Sequence, residues 1–242
     1  MIIKRQMRKL HKYLGLFVGA QILIWTLSGL YFTLIPIEEI RGNHLLNPEA
    51  PLTLGLHELI SPSALVQRHQ TLKDLSIGKI RLAERLGKPV YLVTRDAGFE
   101  AFDALTGDSV LPVSREEAME IGQSRVIKAV TGASYIDSLE TGSEYRGGEL
   151  PAWRLVLEDE THIYIGAMSG QIRAVRTSEW RLFDFLWSLH IMDYGEREDF
   201  NHPLIQGVAM LAVVAIFSGY LLYVLTRRAG RTGGKIVRQN QV

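Results

Sequence analysis

Seven histidines (His11, His44, His57, His69, His162, His190 and His202) and no cysteine bound the metal and redox chemistry open to this 242-residue chain. Without thiols there is no disulfide framework, Cys-ligated zinc, iron–sulfur cluster or covalent c-type haem attachment. Three of the histidines have informative neighbours. His11, Gly15 and Gly19 fall at i, i+4 and i+8 on one helix face, and Ile22, Thr26 and Gly29 continue the stripe. Such a stripe suits an imidazole ligand with a flat group lying against the backbone. It equally suits plain helix packing, because Gly-xxx-Gly is also a packing motif. His190 ends a run in which Trp180, Phe183, Trp187 and His190 share one side of a helix. Asp184 or Asp193 is placed to hold its other ring nitrogen and fix the tautomer. The same residues also fit an aromatic belt at a membrane surface. His202, between Asn201 and Pro203 at a helix start, competes with His190. His44, His57, His69 and His162 have no metal-like spacing and read as surface or structural residues. No nucleophile elbow, Walker loop, dinucleotide glycine pattern or HExxH motif occurs. The acids at Glu116-Glu117 and Glu158-Asp159-Glu160 read as solvated surface.

Two apolar stretches must carry the ends of this set. Residues 13–35 and 204–225 are each long enough to cross a bilayer, which takes about 20 apolar residues. Lys4, Arg5, Arg8, Lys9 and Lys12 precede the first, and Arg227, Arg228, Arg231, Lys235 and Arg238 follow the second. Neither tail, 1–12 or 226–242, holds an acid. Ten of the 27 cations thus sit in the tails, and the 26 acids dominate the middle. Cytoplasmic flanks collect Lys and Arg, so both termini are expected in the cytoplasm and the middle outside. The segregation argues against a nucleic-acid binder, which needs a basic face on its folded part. Ile35-Pro36-Ile37 replaces a small-residue cleavage site, so the first span reads as an uncleaved anchor.

Between the spans, residues 36–177 carry helix and strand signals, and 178–203 form an interfacial aromatic and histidine segment. Ser61-Pro62 predicts a capped helix to about Leu72, and Ser114 with Glu117 a capping box opening a helix to about Val130. Strands are predicted at 79–83, 89–95, 98–104 and 109–113, then at 135–138, 152–157, 162–165 and 171–177. The segment from Pro89 to Ser114 can be laid on that from Pro151 to Ser178 with one length adjustment, matching Thr106-Gly107 to Ser169-Gly170. A duplicated helix-plus-antiparallel-sheet unit is the economical reading.

The opening RKLHKYLGLFVGAQILIWTLSGLYF and the closing LWSLHIMDYGEREDFNHPLIQGVAMLAVVAIFSGYLLYV resemble the helices of PepSY-associated membrane proteins, and the two middle units resemble PepSY modules. The resemblance implies an α+β extracytoplasmic domain of two PepSY-like units on two transmembrane helices in a bacterial inner membrane. It also implies b-type haem and transmembrane electron transfer, with ferric iron or a ferric siderophore as acceptor. His11, Gly15, Gly19, His190 and His202 would then form the cofactor-binding set, with His11 and His190 on haem iron. Relatives of that kind have four spanning helices and this chain has two, so a homodimer or a larger membrane complex is expected. Ala215 and Gly219 offer a second small-residue seam for assembly. The same modules occur in inhibitory propeptides. A membrane-anchored, non-enzymatic binding module, or an accessory subunit of a respiratory complex, is therefore the rival expectation.

Overall fold

The computed structural model describes residues 2–48, 59–74, 79–95 and 98–239. The chain divides into two units, Met1–Leu34 with Asp184–Val242, and Ile35–Phe183.

In the first unit, α1 (Ile2–Leu34) contains the first apolar stretch and α6 (Pro203–Gln239) the second. Both are long and apolar enough to span a membrane, over Arg5–Leu34 and Pro203–Val224. Only 11% and 22% of their most apolar windows are buried, unlike the core helix of a soluble protein. Phe17, Leu23, Leu27, Met210, Ile216 and Phe217 all stay exposed. The two helices pack antiparallel through Val18, Ala212 and Ala215, flanked by Leu14 and Trp25. Ala212 and Ala215 let the backbones approach closely around Val18.

The second unit is α+β. After the short α2 (Ile37–Ile40), α3 (Pro62–Arg68) precedes a sheet ordered β1 (Ile80–Arg85), β2 (Lys88–Arg95), β3 (Gly98–Asp103). Then α4 (Arg115–Arg125) precedes β4 (Val130–Ile136), β5 (Ala152–Leu157), β6 (His162–Gly166) and β7 (Ile172–Arg176), also in sequence order and antiparallel. The helix α5 (Ser178–Ile191) follows. Ser61 caps α3 by accepting from the Ala64 amide, and the Ser114–Glu117 capping box opens α4. The larger core packs Ile121, Leu155, Ile163, Ile165 and Val175.

Four sequence expectations fail locally. The helix from Ser61 ends at Arg68 and gives way to a 3-10 turn over Gln70–Leu72. The strand expected at 135–138 runs Val130–Ile136, where the shortened α4 leaves the chain free to pair with β5. The helix from Ser114 stops at Arg125, five residues early. β-branched Val126 turns extended, and the chain at Leu45 and Leu46 takes hydrogen bonds and a β-bridge there. The strand at 109–113 shrinks to a single bridge, Phe102 to Ser109. Pro112 has no N–H to offer, and the Val113 amide is spent on Ala167 of the next sheet.

The matched halves share a set of backbone hydrogen bonds at equivalent positions. Ala104 N donates to Pro89 O at 3.0 Å, and Ala167 N to Pro151 O at 2.9 Å. Gly107 N donates to Asp103 O and Gly170 N to Gly166 O, both at 2.8 Å. Ile60 and Val113, each just before a helix cap, donate to Ala104 O and Ala167 O. Their own carbonyls accept from Tyr91 Oη at 2.6 Å and Trp153 Nε1 at 2.8 Å. Gly107 and Gly170 both adopt positive φ, +77° and +66°. In one respect the halves differ. Asp103 Oδ1 accepts from the Leu105 and Thr106 amides, whereas its counterpart is Gly166, and Glu149 Oε1 takes over the Met168 and Ser169 amides. A Cβ on Gly166 would stand 2.2 Å from Glu149 Oε2, so the glycine makes room for the substitute carboxylate.

Candidate functional site

The predicted site residues all fall in the unit formed by residues 1–34 and 184–242. His190, near the end of α5, packs against α1. Its Nδ1 lies 2.7 Å from Ser28 Oγ. Ser28 donates its single hydroxyl proton to Ile24 O, also at 2.7 Å. With the serine proton on that carbonyl, the oxygen accepts from His190 Nδ1–H, and a neutral ring then carries its lone pair on Nε2. No group among the described residues hydrogen-bonds that Nε2. Burial lowers the His190 pKa and keeps the ring neutral, the form that ligates metals. Phe32 stands edge-on at 5.5 Å, Trp25 at 6.5 Å, and Trp187 runs parallel at 6.3 Å between ring centroids.

His11 repeats the device at the other end of α1. Its Nδ1 lies 2.8 Å from Ser218 Oγ on α6, and Ser218 donates to Ala215 O at 2.8 Å. With the serine proton on that carbonyl, Nδ1–H of His11 is the donor to Ser218 Oγ. Ser28 and Ser218 are both buried, so each pair is shielded from water. The two serine–histidine pairs are about 25 Å apart along α1, at 1.5 Å per residue. His11 also rests on Gly219, where an added Cβ would meet its ring at 2.8 Å.

Asp184 and Asp193 do not orient His190, contrary to the sequence expectation. Asp184 is buried against Arg197 in an ion pair. Asp193 accepts the Gly195, Glu198 and Asp199 amides and ties the turn that follows α5. His202 is committed to structure: its Nε2 donates to Ile191 O at 3.0 Å. Gln21 donates to Leu189 O and Trp25 Nε1 to His190 O, so three side chains cap the last carbonyls of α5. Positions 15, 19 and 29 face open space, with nothing within 4 Å of an added Cβ. Ala215 and Gly219, by contrast, are used inside the chain, against Val18 and His11.

Among the other histidines, His44 is exposed, and His69 Nε2 bonds Gly107 O at 2.7 Å with its ring on Phe102. His57 lies outside the described residues. His162 is held by Glu144 beside Tyr164. Nothing local in the sequence signals this pairing, since Glu144 lies in a loop with no motif. Among the described residues no three His, Asp or Glu side chains converge as a metal-ion site.

A haem needs imidazole nitrogens bearing a lone pair, and room beside them. The Nε2 of His190 has no hydrogen bond among the described residues, and Trp25, Phe32 and Trp187 surround the ring. His11 meets this less well, because its Cε1–Nε2 edge lies against Gly219 of α6, although the Gly15–Gly19 face beside it is open. No family model, curated protein or solved structure matches the chain.

Proposed function

We propose that this chain is a two-span, PepSY-type inner-membrane protein that binds b-type haem through His11 and His190 and takes part in electron transfer across the membrane. Both termini lie in the cytoplasm in this reading, and residues 36–177 lie outside. The observation that carries it is the repeated serine–histidine pair. Ser218 and Ser28, themselves buried, each engage Nδ1 of a half-buried imidazole, near opposite ends of one apolar helix. Outer partners of this kind typically change metal affinity 10–100-fold. Haem would supply one-electron exchange, with ferric iron or a ferric siderophore as the acceptor class. The chain's own residues would do the rest: His11 and His190 donate lone pairs, the serines hold tautomer and angle, and Trp25, Phe32 and Trp187 screen the outer ring from water.

One chain offers a single such histidine at each level. The second axial ligand comes from a second copy, with the open Gly15–Gly19 face as the closest approach between copies. His202 is the weaker candidate outside, because its Nε2–H is engaged by Ile191 O. The seating of His11 on Gly219 favours a second reading, in which the helices only anchor the outer domain as a binding module or an accessory subunit. The variants decide between them. His190→Ala and His11→Ala are expected to lower the haem-to-protein ratio of the purified protein, and Ser28→Ala to weaken haem affinity about tenfold. Exposed His44→Ala is expected to leave the ratio unchanged. Equal ratios in all four would remove the haem reading and leave the anchored module.

A further inference from the structure

The first sheet joins β1 to β2 through the two-residue turn Leu86-Gly87, with φ of +52° and +74°. The second sheet uses residues 137–151 for the same connection, a strap in place of a turn. In a two-residue hairpin the flanking pair, here Arg85 and Lys88, exchanges hydrogen bonds, and bonded and non-bonded pairs then alternate along the ladder. Arg81, Ala83 and Arg85 therefore turn their backbone groups to β2, and Ile80, Leu82 and Glu84 turn theirs outward. The next strand agrees. Pro89, opposite Glu84, points its carbonyl at β3, where it accepts from the Ala104 amide. The six outward N–H and C=O groups of β1 have no hydrogen-bond partner among the described residues.

The far edge of the same sheet is covered. Asp103 N donates to Asp108 O and Val110 N to Ala101 O, so residues 108–110 close β3. β4, the counterpart of β1 in the second sheet, is blunted by a bulge between Val130 and Gly132, and Gln123 Oε1 takes its Val130 amide. Bulges, prolines and covering segments are the usual protection of a sheet edge. β1 has neither bulge nor proline, and a groove of about 530 Å³ lies beside it. Residues 81–87 line one side, and Glu120, Ser124 and Arg125 of α4 with Gln171 line the other. What the edge carries is charge of both signs, with Arg81 and Glu84 exposed.

We infer that this edge is a docking site for an extended segment of a partner protein, which adds to the sheet as a fourth, antiparallel strand. Backbone hydrogen bonds give such strand addition its affinity, and alternate side chains its specificity. Antiparallel pairing is the more stable per residue. Arg81 precedes Glu84 by about 10 Å along the strand. An antiparallel segment therefore brings a basic residue opposite Glu84 and, three positions later, an acidic residue opposite Arg81. The residue opposite Leu82 is apolar, because Leu82 is 39% exposed and pairs with Tyr91 of the core face. The order is basic, any, apolar, acidic. A second copy of β1 fits poorly. The registers that use the outward groups, centred on Leu82 or Ala83, bring Arg81 beside Arg85 of the copy, and like charges there destabilise. The wall of α4 also suits a single extended segment better than the edge of a whole sheet. The site lies wholly within residues 35–183 and does not rest on the haem reading.

The test is fluorescence-anisotropy titration of the full chain in detergent at low salt with the peptide fluorescein-Lys-Thr-Val-Glu-Val-amide. Saturable 1:1 binding is expected. Exchanging the Lys and Glu of the peptide is expected to weaken binding about fivefold, the scale of two exposed cross-strand charge pairs. N-methylation of the central valine, whose N–H meets Leu82 O, is expected to weaken it about tenfold or more. N-methylation of the following glutamate, whose N–H points away, is expected to leave it unchanged. In the protein, Leu82→Pro removes the central outward N–H, spares the β1–β2 bonds and is expected to abolish binding. Arg81→Glu with Glu84→Arg is expected to reverse the preference between the two charge orders, so the test survives if Leu82→Pro fails to fold. No saturable binding to the wild type, undiminished binding of the valine-methylated peptide, or an unreversed preference in the double variant would overturn the site. The chain has no cysteine of its own. A Leu82→Cys variant that oxidises to a cross-linked dimer would assign the edge to a second copy and overturn the proposal as well.

Discussion

At the scale of single residues, proton placement carries most of the chemistry. A histidine in an apolar helix pair is costly unless its polar atoms are satisfied, and serine is a compact partner because its own proton can return to the helix carbonyl behind it. That leaves one orientation for each of His11 and His190. In the outer domain, Glu144 shows the opposite economy, with one carboxylate serving three donors. Burial raises its pKa, but hydrogen bonds from Arg181, His162 and Tyr164 outweigh burial and hold it below the ordinary carboxylate range. Its contribution to stability is therefore full above that range and is lost as pH falls through the lower, folded-state value. Thermal unfolding followed from pH 7 down to pH 3 should show this loss in the wild type, and Glu144→Gln should flatten the acid limb. A variant that keeps the wild-type acid limb would assign the loss to other carboxylates. The pairings at this scale were not legible in the sequence. Ser28 and His190 are 162 residues apart and Ser218 and His11 207 apart, and no local pattern joins them.

At the scale of elements, local signals were read well wherever the chain's own neighbours decide. The Ser61 and Ser114 caps, the strand pairs β2–β3 and β5–β6, and the glycine turns at 107 and 170 follow from residues within a few positions. The end of α4 and the missing strand at 109–113 depend on segments arriving from elsewhere, so periodicity alone misplaced them. The strap was missed for the same reason, as it adds residues to a connection and leaves no period of its own. The exchange of Asp103 in one half for Gly166 plus Glu149 in the other gives a sharp test of the repeat. The Glu149 side chain is fully buried and paired with Arg173 at 2.9 Å. Glu149→Ala alone should cost about 3 kcal/mol, since it strands Arg173 and two amides. Gly166→Asp alone should cost about 1–3 kcal/mol by overpacking. Together they restore the arrangement around Asp103, so the double variant should be more stable than the sum of the singles by about 1 kcal/mol or more in thermal unfolding. Strict additivity would mean that the two halves do not use equivalent carboxylates.

At the scale of the whole molecule, composition and charge layout announced two apolar helices with a folded domain between them, and the structure has both. What a membrane would add is direction. The account places the acid-rich middle outside and the basic tails inside. Single cysteines at the exposed Leu111 and at Gly233 should then differ in intact cells, with an impermeant reagent labelling only the first; labelling at position 233 would reverse the topology. The central claim is the cofactor, and the visible absorption spectrum of the chain purified from haem-replete cells tests it most directly. The account predicts a Soret band that shifts on dithionite reduction, with the sharp α and β bands of bis-histidine b haem. A wild-type protein that is folded, membrane-extracted and colourless would contradict it.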